Sequence, residues 1–394
     1  MKEKQTAGLS LVWASLKLGV LRLGTRPMYI LAMVVIPLAA VLFFDSLLSR
    51  GVTTRVPTAV VDMDQSEMSR TITRNLGVQQ VLDITAKCES YQAAMQLVRE
   101  GRIFGFFVIP ENFEEDVFGG KQPTLNYYSN LTYYVPGTYS YKGFKSIAVA
   151  TASAVVKDMA LERGIPESIL GPLVQPLSLN INQINNPWAN YAYYLGPSFT
   201  YGVLQLMILL LTIFSITTEI KDGTSVQWLR TGGDSIMVSL LGKLLPQTVG
   251  FIIVGWGILG LQFGFRHYPM NGHLWVMVVG MVLFVIASQS LAVFYASIFP
   301  NPRLALSMGG LTGILAFSLA GFSFPVPNMY GALAIFSYIL PVRYYFLVYI
   351  GNALNGVDPY YLRWDLAALV IFIFVPFTML WNLKRVCRRP VYVP

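Results

Sequence analysis

The stretch MYILAMVVIPLAAVLFFDSLL, residues 28–48, decides what kind of molecule this is. Its only charge is Asp45, near the far end. At about 1.5 Å per helical residue it reaches roughly 31 Å, enough to cross the hydrocarbon core of a bilayer. The leader before it, Met1 to Pro27, is long for a secretory signal, and no small-residue cleavage site follows, so the segment reads as an uncleaved anchor. Further apolar blocks come at Ser198–Thr218, Leu240–Leu261, Leu274–Phe299, Leu304–Phe322 and Leu366–Leu383. With 54% hydrophobic and only 12% charged residues, the chain falls outside the soluble class. The expected fold is an α-helical integral membrane protein with six transmembrane helices.

Six crossings put both termini on one side. Lys2, Lys4, Lys17, Arg22 and Arg26 lie there, as do Lys221, Arg230, Lys243, Arg303, Lys384, Arg385, Arg388 and Arg389. The opposite short loops hold only Arg266, Arg343 and Arg363. By the positive-inside rule the basic side is the cytoplasm. A seventh apolar run, Met329 to Gly351, has Pro341 and Arg343 near its middle, and a crossing there would put the Lys384–Arg389 cluster outside. Residues 324–351 are therefore expected to form a re-entrant helical element buried against protein, and 384–394 a basic cytoplasmic tail. Before the first span, Leu9, Val12, Trp13, Leu16, Val20 and Leu23 form a helical stripe with Lys17 and Arg22 off it, which makes residues 1–27 a cytoplasmic interfacial helix.

Between the first span and the other five, residues 49–190 read as an inserted α/β extracytoplasmic domain. Strands are expected at Val56–Val61, Val81–Thr85, Ile103–Ile109 and Leu125–Tyr128. Helices are expected from Asp64 or Ser66 to Leu76, from Ser90 onward, and from Pro110, with Glu111, Glu114 and Glu115 suiting a helix N-terminus. Ser146–Glu162 reads as a stalk helix and Ile165–Pro187 as a loop leading back to the membrane. The aromatics of Tyr127–Phe144 and Trp188–Tyr194 fit domain packing and an interfacial belt.

Several function classes drop out. The net charge of +8 sits at the membrane edge, since residues 49–190 hold 12 basic and 13 acidic side chains, so nucleic acid is not an expected partner. Cys88 and Cys387 fall on opposite sides of the membrane and cannot pair within one chain. No phosphate-binding loop appears, because Gly120-Lys121 and Gly242-Lys243 lack both the leading glycine and the following hydroxyl. The two histidines, His267 and His273, share one short loop without nearby further ligands, which argues against a zinc site. The spans lack paired acids, the mark of proton- or sodium-driven carriers. Gln205, Gln247 and Gln289 are their most polar residues and read as interhelical hydrogen bonders. Gly260 with Gly264, Gly309 with Gly313 and Ala316 with Ala320 have the spacing of close helix contacts.

The junctions carry the specific signal. After the second span comes Glu219-Ile-Lys-Asp-Gly223-Thr224-Ser-Val-Gln-Trp-Leu229-Arg-Thr231, and the third span opens with Gly242-Lys243-Leu-Leu-Pro246. Gly223 and Thr224 suit a turn and a helix cap, Ser225–Thr231 a short surface helix, and Glu219 can bind backbone or a basic residue. Beyond the fifth span stand Gly321-Phe-Ser-Phe324-Pro325-Val-Pro and Leu340-Pro341-Val-Arg-Tyr344-Tyr345. The outer segment contributes Val60-Val61-Asp62-Met-Asp64-Gln-Ser66 and Val108-Ile109-Pro110. In this order the motifs resemble the permease subunits of type 2 ABC exporters with a large extracytoplasmic domain; Gln227 and Trp228 depart from the pattern, standing where that family often has an acid.

The resemblance implies a permease subunit with no ATPase site and no cofactor of its own, residing in a bacterial plasma (inner) membrane. ATP and Mg would be bound by separate ABC ATPase subunits, engaged through the coupling loop 219–238 with Glu219, Gly223, Thr224, Leu229 and Thr231. Gly321, Phe324, Pro325, Pro341, Tyr344 and Tyr345 would build the re-entrant element. A second permease copy, as homodimer or related heterodimer, is implied. A hydrophobic or amphipathic substrate such as a drug or lipid would move outward or to a periplasmic adaptor and outer-membrane channel. Two alternatives stay open: an ABC complex that transmits force to an extracytoplasmic partner without transport, and a membrane-anchored assembly protein in which Gly223 and Glu219 tolerate change.

Overall fold

The computed structural model describes residues 2–162, 166, 185–186 and 190–390, with backbone alone at 2–12, 25, 158 and 162. The expected loop Ile165–Pro187 and Trp188 fall almost entirely outside these residues. The chain forms two compact units, Met1–Gly51 with Ile184–Pro394, and Val52–Gln183.

Helix α1 runs Lys2–Thr25 and α2 Pro27–Leu47. The break between them is dictated by Pro27, which forces Arg26 into extended backbone (φ −126°, ψ 121°) and then sits in the first turn of α2, where its missing N–H is no loss. A π turn at Leu31–Val35 interrupts α2.

The inserted unit follows as β1 (Val56–Asp62), α3 (Glu67–Val78), β2 (Leu82–Cys88), α4 (Tyr91–Arg99), β3 (Gly105–Ile109), α5 (Phe113–Phe118), β4 (Asn126–Ser129) and α6 (Tyr134–Glu162). The sheet order is β2-β1-β3-β4, parallel except for β4. Period-two alternation sorts the strands: Val60, Phe107 and Ile109 meet α3 and α6 on one face, while Ala59, Val61, Phe106 and Val108 meet α4 on the other. Ser66, not Asp64, caps α3 by accepting from the Ser69 N–H at 3.0 Å, and Ser90 caps α4. Two expectations are corrected. The helix after β3 starts at Phe113 rather than Pro110, because Asn112 takes a left-handed turn (φ 56°) first. Helix α6 begins at Tyr134, twelve residues before Ser146: Pro136 lies in its first turn, where proline is tolerated, and Phe144 is buried against Phe107 with ring centroids 5.3 Å apart.

The chain then runs as α7 (Tyr191–Lys221), α8 (Ser225–Thr231), α9 (Ile236–Phe265), α10 (Leu274–Ile298), α11 (Pro302–Leu319), α12 (Gly331–Ser337), α13 (Pro341–Leu354) and α14 (Arg363–Arg388). Among the described residues, six helices are long and apolar enough to cross a membrane: α2, α7, α9, α10, α11 and α14. In α7 and α10, 72% of the apolar window is buried, against 22–33% in the other four, so these two form the centre and the rest surround them. Between α12 and α13 the chain bends by 77°, leaving two short helices where a straight seventh span would need one long one. Helix α14 continues through Lys384, Arg385 and Arg388.

Packing sorts the small residues. β-Carbons at Gly309 and Gly313 would lie 2.5 Å from Ile213 and 2.4 Å from Leu206, so α11 presses closely on α7. Gly260 and Gly264, by contrast, face nothing within 4 Å among the described residues. Gln205 Oε1 accepts from the Val342 N–H at 2.7 Å, and Gln289 Oε1 from Thr248 Oγ1 at 2.6 Å, so both amides join helices.

Candidate coupling site

Glu219 lies in the last turn of α7 and is buried, at 3% exposure. Burying a carboxylate is costly unless charge and hydrogen-bond partners accompany it. Three elements supply them. Lys243 of α9, itself 6% exposed, donates its Nζ to Glu219; Thr224 donates its hydroxyl; and Arg22 of α1 forms an ion pair with the same carboxylate. The Lys243 ammonium also stands 5.0 Å over the Trp228 ring of α8, whose Nε1 donates to the Ser239 carbonyl at 3.2 Å. One acid thus ties α1, α7, α8 and α9 together.

Helix α1 reaches this position because its contact face is small. Ser15 and Gly19 lie on the Arg22 face, and a β-carbon on Gly19 would come within 2.5 Å of the Gly242 carbonyl oxygen. One on Gly242 would come within 2.1 Å of Ser15 Oγ. The predicted apolar stripe does not make this contact. It lies about a quarter turn away on the helix: Trp13 and Val20 are 70% and 51% exposed, Leu16 is half-buried, and Leu23 is half-buried against the core of the membrane unit.

The chain leaves α7 at Gly223, whose φ of 71° suits a residue without a side chain. Helix α8 follows over the residues the sequence predicts, with Ser225, Trp228 and Leu229 buried and Gln227 and Arg230 exposed. Its inner face packs on Ile216, Ile220, Leu240 and Leu383. The end of α14 clasps it: Ser225 Oγ donates to the Cys387 carbonyl at 3.0 Å, while Arg388 and Lys384 reach Asp234. Hydrogen bonding from Arg388 holds the Asp234 carboxyl below its usual range.

Of the five expected coupling residues, Glu219, Gly223 and Thr224 come together, and Leu229 anchors α8 from inside. Thr231 stands apart, donating to the Gln227 carbonyl at 2.9 Å within α8. Thr224 is not the expected side-chain cap: its backbone is helical (φ −87°, ψ −1°), no cap bond forms, and the hydroxyl turns to Glu219 instead. Lys243, Arg22 and the inward Trp228 complete the cluster. The Gly-Lys pair and the Gln-Trp departure were their only marks in the sequence.

The second group gathers at the other end of α7. Tyr194 donates to the Phe322 carbonyl at 2.8 Å, and the 25 residues from Tyr194 to Glu219 make about 38 Å of helix. Gly321 takes φ 98° after α11. Arg343 Nη1 donates to the adjoining Ala320 carbonyl at 3.1 Å. Pro341 occupies the first turn of α13, Tyr345 is fully buried with its hydroxyl 3.3 Å from the Met277 carbonyl, and the Tyr344 hydroxyl donates to the Tyr338 carbonyl at 3.1 Å. Phe324 is 51% exposed, and Pro325 is extended before a short 3-10 turn. A β-carbon on Gly321 would lie 2.7 Å from Arg343 Nη1. Gly321→Ala is therefore expected to lower the melting temperature by several degrees through left-handed strain of about 1–2 kcal/mol and loss of the Arg343 bond. Thermal unfolding in detergent reads this directly.

Among the described residues, no group of three or more His, Cys, Asp or Glu side chains is placed to hold a metal ion. A search of curated protein sequences found no match to the chain. Residues 27–382 match the family model described as ABC-2 family transporter protein, from the first span almost to the end of α14. With the six apolar helices and the junction motifs in one continuous match, the chain belongs to the ABC-2 transporter family, as a multi-pass permease subunit of the kind that associates with ABC ATPases.

Proposed function

We propose that this chain is the permease half of an ATP-driven exporter in a bacterial inner membrane, with both termini and the Glu219 cluster in the cytoplasm. Two copies, identical or related, form the transport path, and two ATPase subunits, which bind ATP and Mg, dock on the exposed side of α8. The inserted unit lies outside the membrane, and the bent pair α12 and α13 is a re-entrant element on that outer side. The cargo is hydrophobic or amphipathic and leaves outward or through a periplasmic adaptor and outer-membrane channel.

The observation that carries this reading is the single buried acid joining α1, α7, α8 and α9. A push on a loosely tethered loop would dissipate in the loop. Here α8 is held from inside by Trp228 and Leu229 and from the side by α14, so displacement of its outer face moves the ends of α7 and α9 with it. Helix α7 in turn runs through the centre of the membrane unit to the Gly321 region.

Gly223→Val tests the coupling step. The left-handed backbone costs a β-branched residue about 1–2 kcal/mol, yet a β-carbon there meets nothing within 4 Å, so the fold should survive. The expected result is a permease that still captures its ATPase subunits but loses roughly tenfold of substrate-stimulated ATP hydrolysis, within the usual range of coupling energies. Unchanged stimulation would remove the coupling role from this turn, and a purified permease that captures no ATPase would remove the energy source.

A further inference from the structure

In the inserted unit, β1 and β2 are neighbouring parallel strands whose following helices depart to opposite faces, α3 to one and α4 to the other. Open α/β sheets collect ligands in crevices outside the carboxyl ends of their strands. This unit has a crevice of about 860 Å³ at that place, within the range of small-molecule sites. Its floor includes Val60 and Ile84, and its wall the outer side of α3.

The charges around it follow a pattern. Arg70 and Arg74 stand one turn apart on α3, and Lys87 comes from the end of β2. Lys87 faces the crevice because of a bulge: Thr58 pairs with Ile84 but Ala59 with Ala86, so the extra residue Thr85 shifts the alternation and puts Lys87 beside Val60. Bulges re-aim side chains in this way next to functional sites. Glu89 and Glu111, from the ends of β2 and β3, complete the rim.

All five charges are exposed, and none forms an ion pair with any other described residue, although both signs border one space. The remaining acid, Asp62, is already satisfied by the N–H groups of Asp64 and Gln65 and by the Ser69 hydroxyl. Cations and acids held apart across a crevice, with an apolar floor between them, match a ligand that carries both charges itself.

We propose that this crevice binds a small zwitterion, its phosphate or carboxylate group taken by Arg70, Arg74 and Lys87 and its ammonium group by Glu89 and Glu111. Paired guanidinium groups suit the planar or tetrahedral anion, and the opposing carboxylates exclude a simple dianion. The phosphate form would come from a phospholipid headgroup or its soluble equivalent, the carboxylate form from a short peptide or amino acid.

Calorimetric titration of the full-length protein in detergent tests this with O-phosphoethanolamine, a dipeptide, inorganic phosphate and ethanolamine. The expected result is that one of the two zwitterions binds at least about tenfold more tightly than phosphate or ethanolamine alone, each lost ion pair contributing a factor of that order. Preference for phosphoethanolamine assigns the headgroup source, and preference for the dipeptide the peptide source. Arg70→Gln with Arg74→Gln should abolish binding of either zwitterion. Glu89→Gln with Glu111→Gln should weaken it about tenfold while leaving inorganic phosphate unweakened. These side chains are exposed, so melting temperatures should match the parent and separate loss of binding from loss of fold. Absence of binding by both zwitterions at millimolar concentration, or equal binding by parent and variants, overturns the proposal.

Discussion

Glu219→Ala is expected to destabilise the membrane unit by about 3–5 kcal/mol, because it leaves the buried Lys243 ammonium without its counter-charge. The Coulomb attraction within the pair is a poor guide to this figure. Desolvating both ions offsets most of it, and what the substitution exposes is the cost of one charge left buried alone. The melting temperature in detergent should fall by roughly 10 °C. A second substitution separates charge from shape: Glu219→Gln combined with Lys243→Met removes both ions and should recover most of the loss, since apolar replacement of a buried pair is often neutral. Arg22 is 35% exposed and can turn toward water, so Arg22→Gln should cost far less than either buried partner. If Glu219→Ala melts within a degree or two of the parent, the cluster is not the joint that holds the four helices. Function should respond differently from stability. The double variant keeps the fold but gives up a directional link between α1, α7 and α9, so ATP hydrolysis should proceed with weakened response to substrate.

The sequence carried the parts of this fold that follow from one-dimensional periodicity. Six apolar blocks became six long apolar helices, and the alternating runs at Val56–Val61 and Ile103–Ile109 became the two central strands. Boundaries were less legible where a local signal competed with packing. Pro110 looks like a helix start, yet the left-handed backbone of Asn112 delays α5 by three residues, to Phe113. Pro136 looks like a break, yet α6 begins just before it, because burying Phe144 against Phe107 and Tyr127 rewards the added helical turns. The apolar stripe of α1 did not reveal its contact with α9, which falls to Ser15 and Gly19, small residues that let backbones approach. The coupling cluster was half legible. Glu219, Gly223 and Thr224 are local to one turn, but Arg22 and Lys243 meet them from 197 and 24 residues away, and no spacing rule joins such positions.

The approach of α1 to α9 gives the second large effect. Gly242→Val places a β-carbon within 2.1 Å of Ser15 Oγ, 2.4 Å of Ser15 Cβ and 2.8 Å of the Ser15 carbonyl carbon. Rotation of a side chain relieves the first of these distances but not the last, which is backbone. The helices must separate, at a cost of about 1–3 kcal/mol or more for an overpacked contact. Since α1 carries Arg22, separation also draws that guanidinium away from Glu219. Labelling makes the displacement visible: Ser15 is 2% exposed, so a Ser15→Cys thiol in a Cys88→Ser background should react slowly in the parent. Adding Gly242→Val should raise its reaction rate by about 5- to 150-fold, the equivalent of about 1–3 kcal/mol of lost protection. Gly24→Val is the matched control, because a β-carbon there meets nothing within 4 Å, and it should leave the rate unchanged. Slow labelling in both variants would mean that α1 is held by something other than the Ser15–Gly19–Gly242 contact, and the four-helix joint would then have to reach α1 by another route. Fast labelling in Gly242→Val alone would place the anchoring of α1 in three residues whose common property is the absence of bulk.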